Sequence, residues 1–254
     1  MTKFELPKEF RGISTKEAYE RVINSKAPVE EPLSVPANID PKQYIQVPQH
    51  KISIATRETH LDKNMYDTLD ALSGEGLKMP SPLRFMTHWR NIHQAAEGKR
   101  TLLYADGTPV ERDSAVDLWN YMSSTDRKPF NEKPCWTWLN ALFEEENGIM
   151  HMVTDLRTIT QGQEKSLAGT RVALDSFLET NGWADLKLNK QGLPIQPSNN
   201  NNYIQGENIY FWKPVNGKVA RFGANSNRAS LYCDRIPDYW VSSLGVFAVA
   251  DAVK

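Results

Sequence analysis

Residues 218–254 read KVARFGANSNRASLYCDRIPDYWVSSLGVFAVADAVK, and the alternation in their middle bears most directly on the fold. Ala229, Leu231, Cys233 and Arg235 alternate with Ser230, Tyr232, Asp234 and Ile236. One side of an extended segment is therefore small or apolar and is expected to point inward. The other side carries a hydroxyl, a phenol, a carboxylate and an aliphatic chain. A face that only solvates a strand has little use for a Tyr or an Ile. A mixed, partly aromatic face suits contact with another molecule, whereas an irregular loop over a core is the plainer reading of the same pattern. The near-continuous apolar run Leu244–Ala250 reads as a central, buried strand.

Composition inside this stretch is also unusual. From Val219 to Ala250 there is no Lys, Glu, Gln or Met, although all four occur elsewhere in the chain. None of them is encoded by a codon ending in C. Randomised adenines in AAC codons can yield Asn, Ser, Tyr, Asp, Ile, Cys, Gly or Val, but never those four. Trp240 needs a different template codon, such as AGG.

Outward from this stretch, the chain of 254 residues has room for one large domain, or for one of about 170 residues plus an extension. An apolar fraction of 40% and seven Trp argue for a packed core rather than disorder. The net charge of −1, with Lys and Arg scattered, argues against a nucleic-acid partner. Two cysteines, Cys135 and Cys233, allow at most one bridge, and both read as buried thiols. Neither the opening MTKFELPKEFRG nor any later run is apolar enough for a signal peptide or a membrane span. The expectation is a soluble chain without membrane insertion: cytoplasmic, carried in a virion, or exported by another route.

Ser14-Thr-Lys-Glu17 has capping-box spacing and opens a short helix to about Ser25. Pro28, Pro32, Pro36, Pro41 and Pro48 then make Lys26–Gln49 an extended arm. Leu61, Met65, Leu69 and Leu72 share one face of a helix over Thr59–Leu72, with Gly74 as its stop. From Pro82 the character changes. Leu83, Met86, Trp89, Ile92 and Ala96 mark an amphipathic helix ending at Gly98. Asp106-Gly107 is a tight-turn signal, and Asp113 is placed to cap a second helix carrying Val116, Trp119, Tyr121 and Met122. Short strands follow at Ile149–Val153, Val172–Ser176, Ile209–Trp212, Val219–Ala224 and Ala229–Cys233. Two helices followed by irregular antiparallel strands is an α+β order. The division expected is an N-terminal extension over residues 1–81 and a main domain over residues 82–254, with Trp136, Trp138, Leu142 and Phe143 in its core.

Little catalytic or metal chemistry is legible. His88 and His93 lie five apart on a helix and project differently, and His50, His60 and His151 have no evident partners, so all five read as surface or capping histidines. Glu144-Glu-Glu146 reads as a solvated turn. There is no phosphate-loop glycine spacing, no nucleophile elbow, and no basic residue beside either cysteine.

Several segments together resemble a known family. These are Gly217-Lys-Val-Ala-Arg221-Phe-Gly223-Ala, Ser243-Leu-Gly245-Val-Phe-Ala248, Lys133-Pro-Cys-Trp-Thr-Trp138-Leu-Asn-Ala-Leu-Phe143, Leu174-Asp-Ser-Phe-Leu178, Gly192-Leu-Pro194 and Asn208-Ile-Tyr-Phe-Trp212. They resemble the variable (target) proteins of diversity-generating retroelements, in the branch found in archaea and their viruses, over roughly Pro82 to Lys254. The resemblance implies a C-type lectin-like fold, two helices plus an irregular antiparallel sheet, with a variable region at about 219–250. It implies that Asn225, Asn227, Ser230, Tyr232, Asp234, Ile236, Tyr239, Trp240, Val241 and Ser242 form one solvent-facing ligand surface, with Pro237-Asp238 turning the chain back onto it. Arg221, Gly223, Ala229, Leu231, Cys233, Arg235 and Gly245 are the implied framework. Tyr232, Tyr239 and Trp240 are the expected affinity anchors. The family's closing segment often reads Gly-Val-Arg or Gly-Phe-Arg, and here it is Gly245-Val246-Phe247. Sugar-binding C-type lectins hold calcium through acidic strand and loop motifs, and the comparable Phe211-Trp-Lys-Pro214 lacks them, so no metal or other cofactor is expected.

The function implied is a non-enzymatic binder of varied ligands, with proteins as the expected class. One alternative is an enzyme of the formylglycine-generating type, which shares the fold branch and needs two cysteines together in an open cleft for copper or redox chemistry. Another is a module with one fixed partner, whose close relatives would keep Ser230, Tyr232, Asp234 and Ile236.

Overall fold

The computed structural model describes residues 39–123, 135–225 and 227–251, together with the backbone of two short strands near the N-terminus. The chain divides into two compact units, Met1–Glu31 and Pro32–Lys254. In the first, β1 (Glu9–Phe10) pairs antiparallel with β2 (Ile13–Ser14). Ser14 thus closes a strand, and the rest of the helix expected to Ser25 lies outside the described residues, as does the arm before residue 39.

The second unit is mixed α+β, with three helices among the described residues and most of the remaining regular structure in sheet. Helix α1 spans Met65–Gly74, and Asn64 caps it by accepting the Asp67 N–H at 2.9 Å. The helix starts later than Thr59 because His60 (φ 53°) and Asp62 (φ 62°) are left-handed, a conformation no α-helix contains. Leu61 is left 44% exposed. Helix α2 spans Pro82–Ala96 behind a Ser81 cap, with Pro82 in its first turn, where its missing N–H has no intrahelical partner to lose. Gly98 (φ 76°) ends it, its N–H bonding back to Ala95. Helix α3 spans Arg112–Ser123, with Asp113 inside the first turn. Between α2 and α3 the Asp106-Gly107 turn forms as expected: the Gly107 N–H donates to Tyr104 at 2.9 Å, and Leu103 bridges Pro109.

The large sheet runs β7 (Glu164–Ala173), β6 (Ile149–Gln161), β5 (Cys135–Glu146), β10 (Lys218–Asn225), β11 (Arg228–Arg235), β9 (Asn208–Trp212) and β8 (Gly182–Asp185), in that order. The long strand β5 is its spine. Its first part lies between β10 and β12 (Leu244–Gly245), and its second part between β10 and β6. Both faces of β5 are covered, which is why residues 135–143 read as an almost unbroken apolar run. Glu144–Glu146 end this strand rather than form the turn. The turn is Asn147-Gly148, both left-handed (φ 52° and 77°), as a two-residue hairpin needs, and Arg171 pairs with Glu144 and Glu146.

A small sheet joins β13 (Val249–Asp251), β4 (Ile52–Ala55) and β3 (Tyr44–Val47). Two corrections follow. Residues 244–250 are all buried, but they are divided between two sheets rather than forming one central strand. And the segment 39–81 belongs to the larger unit, because β4 is the strand that pairs with β13. The compact unit begins at Pro32, not at Pro82.

Two apolar clusters sit on opposite faces of the large sheet. One packs α2 and α3 against it through Phe85, Trp89, Trp119 and Phe222, with Phe85–Phe222 centroids 4.9 Å apart and Trp89–Trp119 centroids 4.7 Å apart. Phe247 enters the same cluster, 5.7 Å from Phe85. The other packs α1 and the closing strands around Trp138, which is fully buried and donates its indole N–H to the Lys63 carbonyl at 3.1 Å. His88 overturns the surface reading of the histidines. It is 0% exposed, neither ring nitrogen has a partner, and burial drives its pKa down to about 3.

Candidate functional site

The alternation read from β11 is realised. Ala229, Leu231 and Cys233 are 0% exposed and join the helix-side cluster. Ser230 and Tyr232 point to the opposite face, where neighbouring strands contribute in register: Ser230 lies beside Tyr210 and Gly223, and Tyr232 beside Trp212 and Arg221. Trp183 on β8 continues the row past Tyr210. The strand alternation of period two therefore builds a band of aromatic rings across β5, β10, β11, β9 and β8.

Three guanidinium groups lie against the rings. The Arg221 Cζ is 4.4 Å from the Trp136 centroid, 4.5 Å from that of Tyr232 and 5.1 Å from that of Tyr239. The Arg235 Cζ is 4.6 Å from Tyr232 and 6.0 Å from Tyr239. Such contacts are worth about 0.5–2 kcal/mol each, rising with desolvation. Trp212 stacks on Tyr232 at 6.0 Å with planes 12° apart, Tyr210 adjoins Trp212 at 5.3 Å, and Trp183 meets Tyr210 edge-on at 5.4 Å. Arg228 lies over Tyr210 at 5.4 Å. Gly223 leaves room for this packing: a Cβ there would stand 3.2 Å from Trp136 and 3.3 Å from Tyr232.

Arg235 departs from its expected inward place. Arg221 pairs with Tyr232 while Val219 pairs with Arg235, so three steps on β11 match two on β10. The extra residue is a bulge, and it turns Arg235 onto the tyrosine face, where its Nε stands 3.4 Å from Asp234 Oδ1. Burial first, and then the charge of Arg235, hold the Arg221 pKa below the usual arginine value, while a bond to Tyr239 acts the other way.

The ten sequence-derived positions are not one exposed patch. Trp240 (61%) and Ile236 (47%) are exposed, as are Asn227 and Ser242. Asn225, Asp234, Tyr239 and Val241 are half-buried. Ser230 (1%) and Tyr232 (7%) are buried, which corrects their expected presentation to solvent. Neighbouring rings and guanidinium groups cover them, since a side chain on a central strand is flanked on both sides. The Ile236–Tyr239 turn closes through a 3.1 Å bond from the Tyr239 N–H to the Ile236 carbonyl, and the Pro237 carbonyl accepts the Met65 N–H at the start of α1 at 3.0 Å. That anchorage brings Tyr239 over Arg221 beside Tyr232. Asn225 and Asn227 lie instead at the β10–β11 turn, about 25 Å along the strand from Arg235 at about 3.4 Å per residue.

The residues missed by sequence are Trp136, Trp183, Tyr210, Trp212, Arg221 and Arg228. Tyr210 and Trp212 alternate with the buried Ile209 and Phe211, a signal present inside a strand already recognised. Trp183 and Trp136 carry no comparable signal, because their place depends on which strands neighbour them.

Cys135 and Cys233 are buried and lie apart, with no disulfide between them. Cys135 is in register with Ala224 and Ala229, and Cys233 lies four residues further along β11, about 13 Å at strand rise. Burial raises the Cys233 pKa, and Cys135 bonds to Glu58, whose own pKa is raised by burial and whose Oε2 accepts the Tyr121 hydroxyl. A carboxyl neighbour opposes thiolate formation. The shared open cleft that paired-cysteine chemistry needs is not formed.

Among the described residues, no three His, Cys, Asp or Glu side chains are grouped to hold a metal ion, and no helix is long and apolar enough to cross a membrane. No protein-family model, curated protein or solved structure matches the chain.

Proposed function

We propose that this chain is a ligand-binding protein of C-type lectin-like fold whose C-terminal face is diversified by retroelement mutagenesis to recognise varied protein ligands. The observation that carries the reading is the division of β11. Its apolar residues anchor the sheet to α2 and α3, and its other residues lie beside an aromatic band that reaches Tyr239, whose chain neighbour Trp240 is 61% exposed. Diversification requires positions that can change without loss of the core, and aromatic side chains give large contact area at low entropic cost. The missing Lys, Glu, Gln and Met between Val219 and Ala250 supply independent support, since codons ending in C encode none of them.

Sequencing the DNA beside the gene tests this. The expected finding is a near-identical repeat of the 3′ end with AAC at the varied codons, next to a reverse-transcriptase gene. Sister copies should then differ at Asn227, Ile236 and Ser242. A lone gene whose sister copies keep these residues would point instead to one fixed partner.

A further inference from the structure

We propose that the aromatic face receives the carboxylates of an acidic segment of a protein partner, one at Arg235 with Arg221 beneath it and another at Arg228, further along the band. This deepens the reading of that face as the ligand surface and rests on it. The first ground is an excess of donors. Arg221 is 2% exposed, and its Nε and Nη1 have no acceptor; the buried Arg228 Nε and Trp212 Nε1 have none either. The one carboxylate among them, Asp234, stands 3.4 Å from Arg235 Nε without a hydrogen bond between them, so it leaves more donors than acceptors, and Asp238 on the adjoining loop is exposed. Buried donors are nearly always satisfied in a finished interface. A ligand that completes this face must therefore bring acceptors.

The second ground is geometry. Tyr232 and Tyr239 each lie within 6.0 Å of both Arg221 and Arg235, so two like charges share one pair of rings with a single counter-charge. Rings stacked on a guanidinium cover its faces and leave its N–H edge free. A carboxylate accepts at both oxygens and meets that edge in a two-bond fork. A polynucleotide would need a basic track following successive phosphates, and a chain of net charge −1 with scattered cations does not provide one. Under the proposed function these arginines lie outside the diversified positions. The carboxylate preference would then persist while the surrounding contacts change.

The test pans a random peptide library displayed on phage against the full chain, then resynthesises each recovered peptide with Asp and Glu replaced by Asn and Gln. The result expected is enrichment in acidic residues, and at least about tenfold weaker binding after amidation. Arg235→Gln and Arg228→Gln should weaken the acidic peptides similarly and leave the amidated ones unchanged. Both are half-buried at the edge of the face, so their loss spares the core that Arg221→Met would risk. Peptides that bind the face, lose binding with Trp240→Ala, and tolerate amidation would overturn the carboxylate while leaving the ligand surface standing. Peptides indifferent to both Trp240→Ala and the arginine variants would overturn the surface itself. Recovery of no peptide, or tighter binding of oligouridylate lost in the same arginine variants, would also overturn the proposal.

Discussion

His88 shows what a single buried side chain does to the whole chain. It projects from α2 into the apolar cluster with both ring nitrogens unpartnered, and burial holds its pKa at about 3 against an ordinary value of about 6.5. Between those two values the unfolded chain binds a proton that the folded chain refuses. Its contribution is therefore fully present above about pH 6.5 and is lost as pH falls, at about 1.4 kcal/mol per unit, until about pH 3. His88→Leu keeps the volume and removes the titration. Urea unfolding at pH 7 and pH 5 should show the natural chain losing about 2 kcal/mol more than the variant over that interval. Equal losses would mean that His88 takes up its proton in the folded state. Nothing in the sequence marked this histidine. A His four residues from Ile92 and three from Phe85 occupies the covered face of the helix, but the cost of that position depends on the absence of a polar neighbour, which is decided by the elements packed against the helix.

At the scale of the element, β11 separates what can change from what cannot. Its outward residues and those that flank it differ in cover, so their replacement should differ in cost. Ala at Asn227, Ile236, Trp240 and Ser242 together should shift stability by within about 0.5 kcal/mol per site, since all four are exposed. Tyr232→Ala should cost about 3 kcal/mol, because it uncovers Trp212 and removes a ring from both Arg221 and Arg235. Thermal unfolding of the two variants provides the check, and a Tyr232 variant as stable as the fourfold one would contradict the packing of the band. The alternation was legible because a strand has period two whatever surrounds it. The bulge that turns Arg235 outward was not, since one extra residue on β11 is defined only against its partner β10. The Asn147-Gly148 hairpin is the opposite case: its signal is local and strong, and it ends β5 where the glutamates had suggested a turn.

For the whole molecule, the decisive contact is between the beginning of the larger unit and its end. The β4–β13 pairing and the cover that Met65, Leu69 and Leu72 give to Trp138 tie residues 44–74 to the closing strands. Each such side chain contributes about 1.5–3 kcal/mol by leaving water, a large share of the stability of a domain. A chain beginning at Pro82 should therefore show no cooperative melt by near-ultraviolet circular dichroism. A sharp transition in that fragment would restore the division at Pro82. The α+β order, the helices α2 and α3, the buried Trp138 and the two-sided β11 all followed from the sequence alone, because each rests on local periodicity, capping or turn chemistry. The tertiary structure alone decided that Leu244–Ala250 serves two sheets, that residues 39–81 are part of the domain, and that Arg221 and Arg235 meet over Tyr232. These depend on pairings between residues far apart in the chain, and local pattern carries no record of which distant strand will supply the missing hydrogen bonds.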